Sequence, residues 1–267
     1  MATATRDGHS IYYEVFGEGP RLLVFNGSGT TIESTRWLLD VLARHFTVLV
    51  HDQRGLGKTG LPDGGTQPTM ADFAADGKAV LDAQGWERAA VFGMSFGGMV
   101  AQEFAVTYPQ MVTRLALLCT SAGGAGGSSY PLHTLAALSA AERERVAIHN
   151  LDMRFTPEWL ATHPNDQGLV DVMRSGATAE KSDAVKRGEV AQLAARALHD
   201  TWSRLDHITC PTLVAAGRFD GLAPLENSQA LAGAIAGAEI DVFEGGHLFV
   251  VQDQRALPRV TSFLLGE

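Results

Sequence analysis

Short apolar runs alternate with longer amphipathic ones along most of this chain, the pattern of a mostly parallel sheet covered on both faces by helices. After a hairpin-like start around Ile11 to Phe16, "RLLVFN" (Arg21 to Asn26) and "FTVLVH" (Phe46 to His51) read as strands flanking a helix near Ser34 to Arg44. A helix is predicted near Met70 to Gln84, with Thr69 as N-cap, Asp72 completing a capping-box pattern and Gly85 just past the end. Strand "RAAVFG" then leads into "FGGMVAQEFAVTYP", apolar nearly all round and therefore predicted to be buried, and strand "RLALLC" (Arg114 to Cys119) follows.

The alternation breaks between Thr120 and about Asp206. "TSAGGAGGSSYP" reads as a flexible Gly/Ser-rich connection, and the remainder as helical without a strand. In "GEVAQLAARALHDTWSRL" the apolar positions Val190, Leu193, Ala194, Ala197, Leu198 and Leu205 recur at helical spacing, which places His199 nearly opposite the apolar face. The sheet pattern resumes with "PTLVAAG" (Pro211 to Gly217), a helix near Pro224 to Ile235, strand "EIDVF" (Glu239 to Phe243) and a final helix near Arg255 to Leu265. The expected organisation is a core domain formed by residues 1–120 and 207–267, interrupted by a helical lid over 121–206. No internal repeat is evident.

Composition narrows the partners. The 267 residues, 45% hydrophobic, suffice for one large domain or a domain plus an insertion, and 21 basic against 30 acidic residues gives a net charge of −9. Such a field disfavours nucleic acid and anionic membrane surfaces, while leaving small anionic ligands open. No secretory leader pattern opens the chain and no apolar run approaches the roughly 20 residues that span a bilayer, so a cytoplasmic location is expected. The two cysteines, Cys119 and Cys210, fall at the end of one predicted strand and just before another; neither a disulfide nor a zinc site is expected.

"RGLGKTG" (residues 54–60) invites a phosphate-loop reading that its spacing refuses. With Gly57-Lys58-Thr59 fixed, the first glycine of a Walker loop would fall at Asp52. The Gly-x-Gly-x-x-Gly match does not open a helix either, since Leu61 to Gly65 continue a loop, so glycines supplying positive φ in a turn are the plainer account.

"GMSFGG" carries more. Gly-x-Ser-x-Gly between a predicted strand and a buried helix is the context in which a tight turn lifts a serine, here Ser95, above the sheet edge. Its position at a helix N-terminus lets the Phe96 N–H stabilise an oxyanion. A serine needs a base and an orienting acid, which this architecture places later in the chain, acid first. Asp220 in "GRFDG" follows strand "PTLVAAG", and His247 in "EGGHLF" follows strand "EIDVF", so all three fall at one sheet edge. The turn after "RLALLC", an alternative home for the acid, offers no carboxylate. His51 precedes Ser95 and is in the wrong order. A second oxyanion donor is expected from Asn26-Gly27-Ser28-Gly29-Thr30, with Ser28 N–H the candidate and Gly29 the alternative if the turn is shifted by one.

With "FNGSGT", "HDQRGLGKTG", "GMSFGG", "FTPEWL" and "GGHLF" in place, the chain resembles the α/β-hydrolase superfamily over essentially its whole length, and within it 3-oxoadipate enol-lactonase and related small serine esterases. The resemblance implies that Asp52 and Arg54 brace loops at the rim of the site. Leu56 stands where the enol-lactonases usually show His, and "GRFDG" departs from their Gly-Glu/Asp-x-Asp stretch.

The expected chemistry is hydrolysis of a small carboxylic ester or lactone through a Ser95-His247-Asp220 triad and an acyl-enzyme, with no metal or organic cofactor required. Serine at position 95 argues for carbonyl chemistry over epoxide opening or dehalogenation, which would need a carboxylate there. Cofactor-free carbon–carbon hydrolysis or perhydrolysis would use the same triad, and a hydrolase scaffold acting as a small-molecule receptor is a further alternative, motivated by the Gly-rich hinge at Gly123 to Gly127. Met94, Phe96, Met153, Phe155, Trp159, Trp202 and Phe249 are available for an apolar cavity, though such residues are more often plain core. An acidic substrate would need a cation, for which Arg54, Arg154 and Arg218 are candidates.

Overall fold

Alternate residues of each central strand point to opposite faces of a sheet, and here both faces are apolar. In the computed structural model, which describes residues 2–61, 67–178 and 180–267, eight strands form one sheet: β1 (Ala2–Arg6), β2 (His9–Phe16), β3 (Arg21–Phe25), β4 (Thr47–His51), β5 (Ala89–Met94), β6 (Val112–Leu118), β7 (Thr212–Gly217) and β8 (Glu239–Phe243). Their order is β1-β2-β4-β3-β5-β6-β7-β8, with β1/β2 and β2/β4 antiparallel and the remainder parallel. Leu23, Phe25, Leu49 and Val91 face one core, with α2 (Met70–Ala83) and α3 (Phe96–Thr107) over it. Leu22, Val24, Val48, Val50 and Phe92 face the other, beneath α1 (Arg36–Leu42). That two-sided burial is why these strands read as continuous apolar runs.

Chain order and strand order together position the site. From β3 the chain steps to β4 on one side and then to β5 on the other, so the loops leaving β3 and β5 part company at a switch point, where open α/β sheets leave a crevice at the carboxyl ends of their strands. The Gly-Ser-Gly loop leaves β3 there and Ser95 leaves β5.

Most sequence expectations hold. Thr69 caps α2 with the reciprocal Asp72 capping box, and α3 is buried from Phe96 to Val106. The hairpin is longer than expected because β1 precedes it. The loop expected over Leu61 to Gly65 lies, from Pro62 onward, outside the described residues. Between β6 and β7 lie α4 (Ala140–Leu151), α5 (Pro157–Thr162), α6 (Pro164–Thr178) and α7 (Asp183–Ala197), followed after β7 by α8 (Leu225–Ala234) and, after β8, by the one-turn α9 (Phe249–Gln252) and α10 (Ala256–Leu265). No helix among the described residues is long and apolar enough to cross a membrane.

Two readings of the inserted segment need correction. In α7 the expected apolar face points outward, with Val190 64% and Leu198 84% exposed, whereas Gly188, Ala191, Gln192, Ala195, Arg196 and the following His199 are buried. The helix also ends at Ala197, and Leu205 is buried from a separate 3-10 turn, Trp202–His207. The buried face is partly polar because, beside the apolar core that Ala195 joins, it covers the loop after β3 and a polar cavity. Gly188 meets Gly55 directly: a Cβ on Gly188 would stand 1.9 Å from Gly55 O, so "RGLGKTG" is a turn shaped for contact with α7, with Gly55 and Gly57 at positive φ. The run Gly123 to Gly127, read as a hinge, is closely packed instead; a Cβ on Gly123 would lie 2.0 Å from His199 O and one on Gly126 2.3 Å from the Trp202 ring.

Burial of the His199 ring holds its pKa down to about 4, against 6.5 for a free histidine. Between those values the unfolded chain takes up a proton that the folded chain refuses. The stability this ring confers is therefore complete above pH 6.5 and is lost as pH falls toward 4, by roughly 3 kcal/mol. Urea midpoints at pH 7 and pH 4.5 should differ more for the wild type than for His199→Gln; equal differences would remove His199 as a source of acid sensitivity.

Candidate active site

Ser95 sits between the end of β5 and the first turn of α3 with φ 56° and ψ −119°. A non-glycine residue held there costs on the order of 1–3 kcal/mol and persists only when its surroundings over-determine it. They do so here. Ser95 N–H donates to Leu118 O (2.9 Å), and Ser95 O accepts from the Thr120 hydroxyl (2.9 Å), Gly98 N–H (2.9 Å) and Met99 N–H (3.2 Å). The flanking glycines allow the close approach that the turn needs. A Cβ on Gly93 would lie 2.4 Å from Gly97 O, and one on Gly97 2.0 Å from Phe25 O. Gly97→Ala should accordingly cost about 3 kcal/mol or prevent folding, read as a lower urea midpoint; an unchanged midpoint would mean that β3 and α3 separate easily.

The three residues expected from chain order meet. Asp220 lies three residues beyond β7, fully buried, with Oδ1 accepting from Leu222 N–H and Ala223 N–H, both at 2.8 Å. Its Oδ2 stands 2.8 Å from His247 Nδ1, and His247 Nε2 stands 2.9 Å from Ser95 Oγ. Since a carboxylate only accepts, Nδ1 carries the proton and Nε2 presents its lone pair to the serine hydroxyl. The histidine loop is anchored from the inserted segment: His247 N–H donates to Leu151 O (2.6 Å), while Gln252 accepts from Gly246 N–H (2.9 Å) and donates to Asp152 (3.0 Å).

Cys119 lies close by, with donor atoms of Cys119, Asp220 and His247 all within 4.8 Å of one another. The set suits a metal poorly. Burial pushes the Cys119 thiol well above its ordinary range, so it stays protonated, and the Asp220 and His247 atoms are already bonded to each other.

The loop after β3 passes over Ser95, such that a Cβ on Gly27 would lie 3.8 Å from Ser95 Cβ. Its turn is closed by the Thr30 hydroxyl donating to Gly27 O (2.8 Å), and Gln53 Nε2 donates to Asn26 O (2.5 Å). Gly29 N–H, the alternative donor in the sequence reading, is taken by Gln192 Oε1 of α7 at 2.9 Å. Ser28 N–H and Phe96 N–H have no acceptor among the described residues.

The remaining expectations separate cleanly. Asp52 accepts from Ile32 N–H and Lys58 N–H, both at 2.8 Å, and Arg54 forks onto Asp76 of α2, so both tie loops together. Arg154 pairs with Asp152 and Arg218 with Glu244, so each of the three arginines proposed as a substrate cation already has a carboxylate. Phe96 and Phe249 are fully buried in the two cores, and Met153 is 45% exposed. Sequence reasoning missed Gln192 and Arg196. Their signal was a polar stripe at helical spacing, Gln192, Arg196 and His199, on the face assumed to look outward.

A family model described as alpha/beta hydrolase fold matches residues 20–254. The chain belongs to the alpha/beta hydrolase family. Among its relatives, a poly(3-hydroxyalkanoate) depolymerase from Ectopseudomonas oleovorans is 30% identical over 256 residues, which cover 92% of this chain and 84% of the relative. A hydrolase from Pseudomonas aeruginosa PA01 superposes with a TM-score of 0.80 at 30% identity, covering 100% of this chain and 98% of the other chain. The enol-lactonase from Burkholderia xenovorans LB400 also superposes with a TM-score of 0.80, at 22% identity and over 100% of both chains, a likeness of fold.

Proposed function

We propose that this hydrolase cleaves a small carboxylic ester or lactone through an acyl-enzyme on Ser95. The observation that carries the reading is the continuous chain from Ser95 Oγ to His247 Nε2, and from His247 Nδ1 to Asp220, with the serine held in a strained turn. His247 removes the hydroxyl proton as Ser95 Oγ attacks the carbonyl carbon, and Asp220 orients the ring and stabilises the imidazolium. Ser28 N–H and Phe96 N–H receive the developing oxyanion. His247 then returns the proton to the leaving oxygen, which departs and leaves the acyl group on Ser95. Water, deprotonated by His247, attacks that acyl group and releases the acid, restoring Ser95. No step changes the oxidation state of the serine or the substrate, so no external oxidant or reductant is required.

Helices α4 to α7 serve as the lid in this reading, with α7 reaching the oxyanion loop through Gln192. Relatives named as a depolymerase of poly(3-hydroxyalkanoate) and as an enol-lactonase are in keeping with carbonyl substrates. Proton release on a panel of acyl esters, simple lactones, enol-lactones and β-diketones tests it. Turnover of esters or lactones is the expected result; turnover confined to β-diketones would move the reaction to carbon–carbon hydrolysis, and turnover of nothing would favour a receptor.

A further inference from the structure

Arg196 is the one cation of the inserted helices that is both deeply buried and without a carboxylate among the described residues. It is 8% exposed, its Nη1 donates to Tyr130 O at 2.7 Å, and its Nε–H, wholly shielded from solvent, has no acceptor. Asp220 acts on it only through its field, both carboxylate oxygens being occupied by His247 and by two backbone N–H groups. Burial lowers the guanidinium to about 10, so it remains charged at neutral pH. A buried cation with a free donor is costly unless an anion completes it.

Arg196 lines a cavity of about 80 Å³ together with Ser121, Ser129, His133, His199 and Met99. None of the side chains lining this cavity is acidic. Its volume accommodates the centres of several waters, hence a small organic acid group. The Ser121 and Ser129 hydroxyls, 2.8 Å apart, use one O–H on their mutual bond and leave one further donor, with Ser121 Oγ also accepting from Asn227 Nδ2 at 3.0 Å. The cavity is linked to the Ser95 backbone, although Ser95 does not line it: Met99 N–H bonds Ser95 O, and Ser121 follows Thr120, whose hydroxyl holds the same oxygen.

We propose that this cavity is a carboxylate-binding subsite near Ser95, with Arg196 as its cation and the Ser121–Ser129 hydroxyl pair supplying one additional donor. Of the guanidinium nitrogens, Nη2 is the one neither bonded among the described residues nor shielded as Nε is, and it is the donor a carboxylate oxygen can reach. The carboxylate belongs either to the substrate itself or to a free acid bound beside it. Only that choice of source rests on the hydrolase reading; the binding itself does not.

Titration calorimetry with butyrate and its neutral isostere butyramide tests the subsite without turnover. Butyrate should bind the wild-type protein and butyramide at least 10-fold more weakly. Arg196→Gln should weaken butyrate about 10- to 100-fold, with Arg196→Lys in between. Equal binding of the two probes by the wild type, no butyrate binding at tens of millimolar, or full butyrate affinity in Arg196→Gln would each overturn the proposal. The butyrate–butyramide comparison needs no variant and so stands even if Arg196→Gln does not fold. Competitive inhibition of a neutral p-nitrophenyl ester by butyrate would support the subsite as the seat of the substrate's carboxylate, and noncompetitive inhibition as the seat of a free one. Loss of ester turnover without loss of butyrate binding would fault the hydrolase reading alone.

Discussion

Replacing Ser95 by alanine should reduce turnover on the order of 10⁶-fold while leaving the fold intact. The magnitude follows from the covalent route. Without Oγ there is no acyl-enzyme, and His247 can only activate water from a position built to take a proton from a side chain 2.9 Å away. Residual rate would come from the two oxyanion donors and from substrate positioning. Stability should hold or rise slightly, because alanine at φ 56° loses no side-chain hydrogen bond other than that to His247. Single-turnover and steady-state assays on the best ester of the panel measure the loss; a fall of less than 10-fold would remove the serine from the reaction.

Asp220→Asn should cost about 10⁴-fold in kcat, for a reason particular to this site. The two backbone N–H groups of Leu222 and Ala223 both point at Oδ1, so an asparagine would turn its carbonyl toward them. Its amide would then face His247 Nδ1 and donate to it, leaving the proton on Nε2, where it would be aimed at Ser95 instead of receiving from it. The shape of the site would survive and the direction of proton transfer would not. A loss of kcat with little change in KM, at unchanged urea midpoint, is the expected signature. A near-normal kcat would place the orienting acid elsewhere.

The strands, the capped helix after Thr69 and the order serine, acid, histidine were legible because each depends on local chemistry or chain order: alternating burial, a side chain bonding a backbone N–H three residues on, and parallel strands that end at one edge. Ser28 against Gly29 was undecidable in the sequence, since a turn of small residues does not reveal which N–H another element will occupy. Gln192, 163 residues away, occupies the Gly29 N–H. The inward face of α7 was misread because periodicity arguments assume that apolar residues point inward. Where a helix covers a polar cavity and the loop after β3, Gln192 and Arg196 take the inner face while Val190 and Leu198 go to solvent. The glycines at 55, 123 and 126 likewise read as freedom in the sequence and act as clearance in the fold.

The central claim is that His247 and Asp220 activate Ser95 as a nucleophile. Intact-mass analysis after exposure to a fluorophosphonate ester addresses it most directly, because the phosphorus is attacked by an activated serine with loss of fluoride, whatever the natural substrate. The predicted result is one adduct per chain, located on Ser95, absent in Ser95→Ala and formed far more slowly in Asp220→Asn. An unmodified wild-type chain, or an adduct equally abundant in Ser95→Ala, would contradict the account.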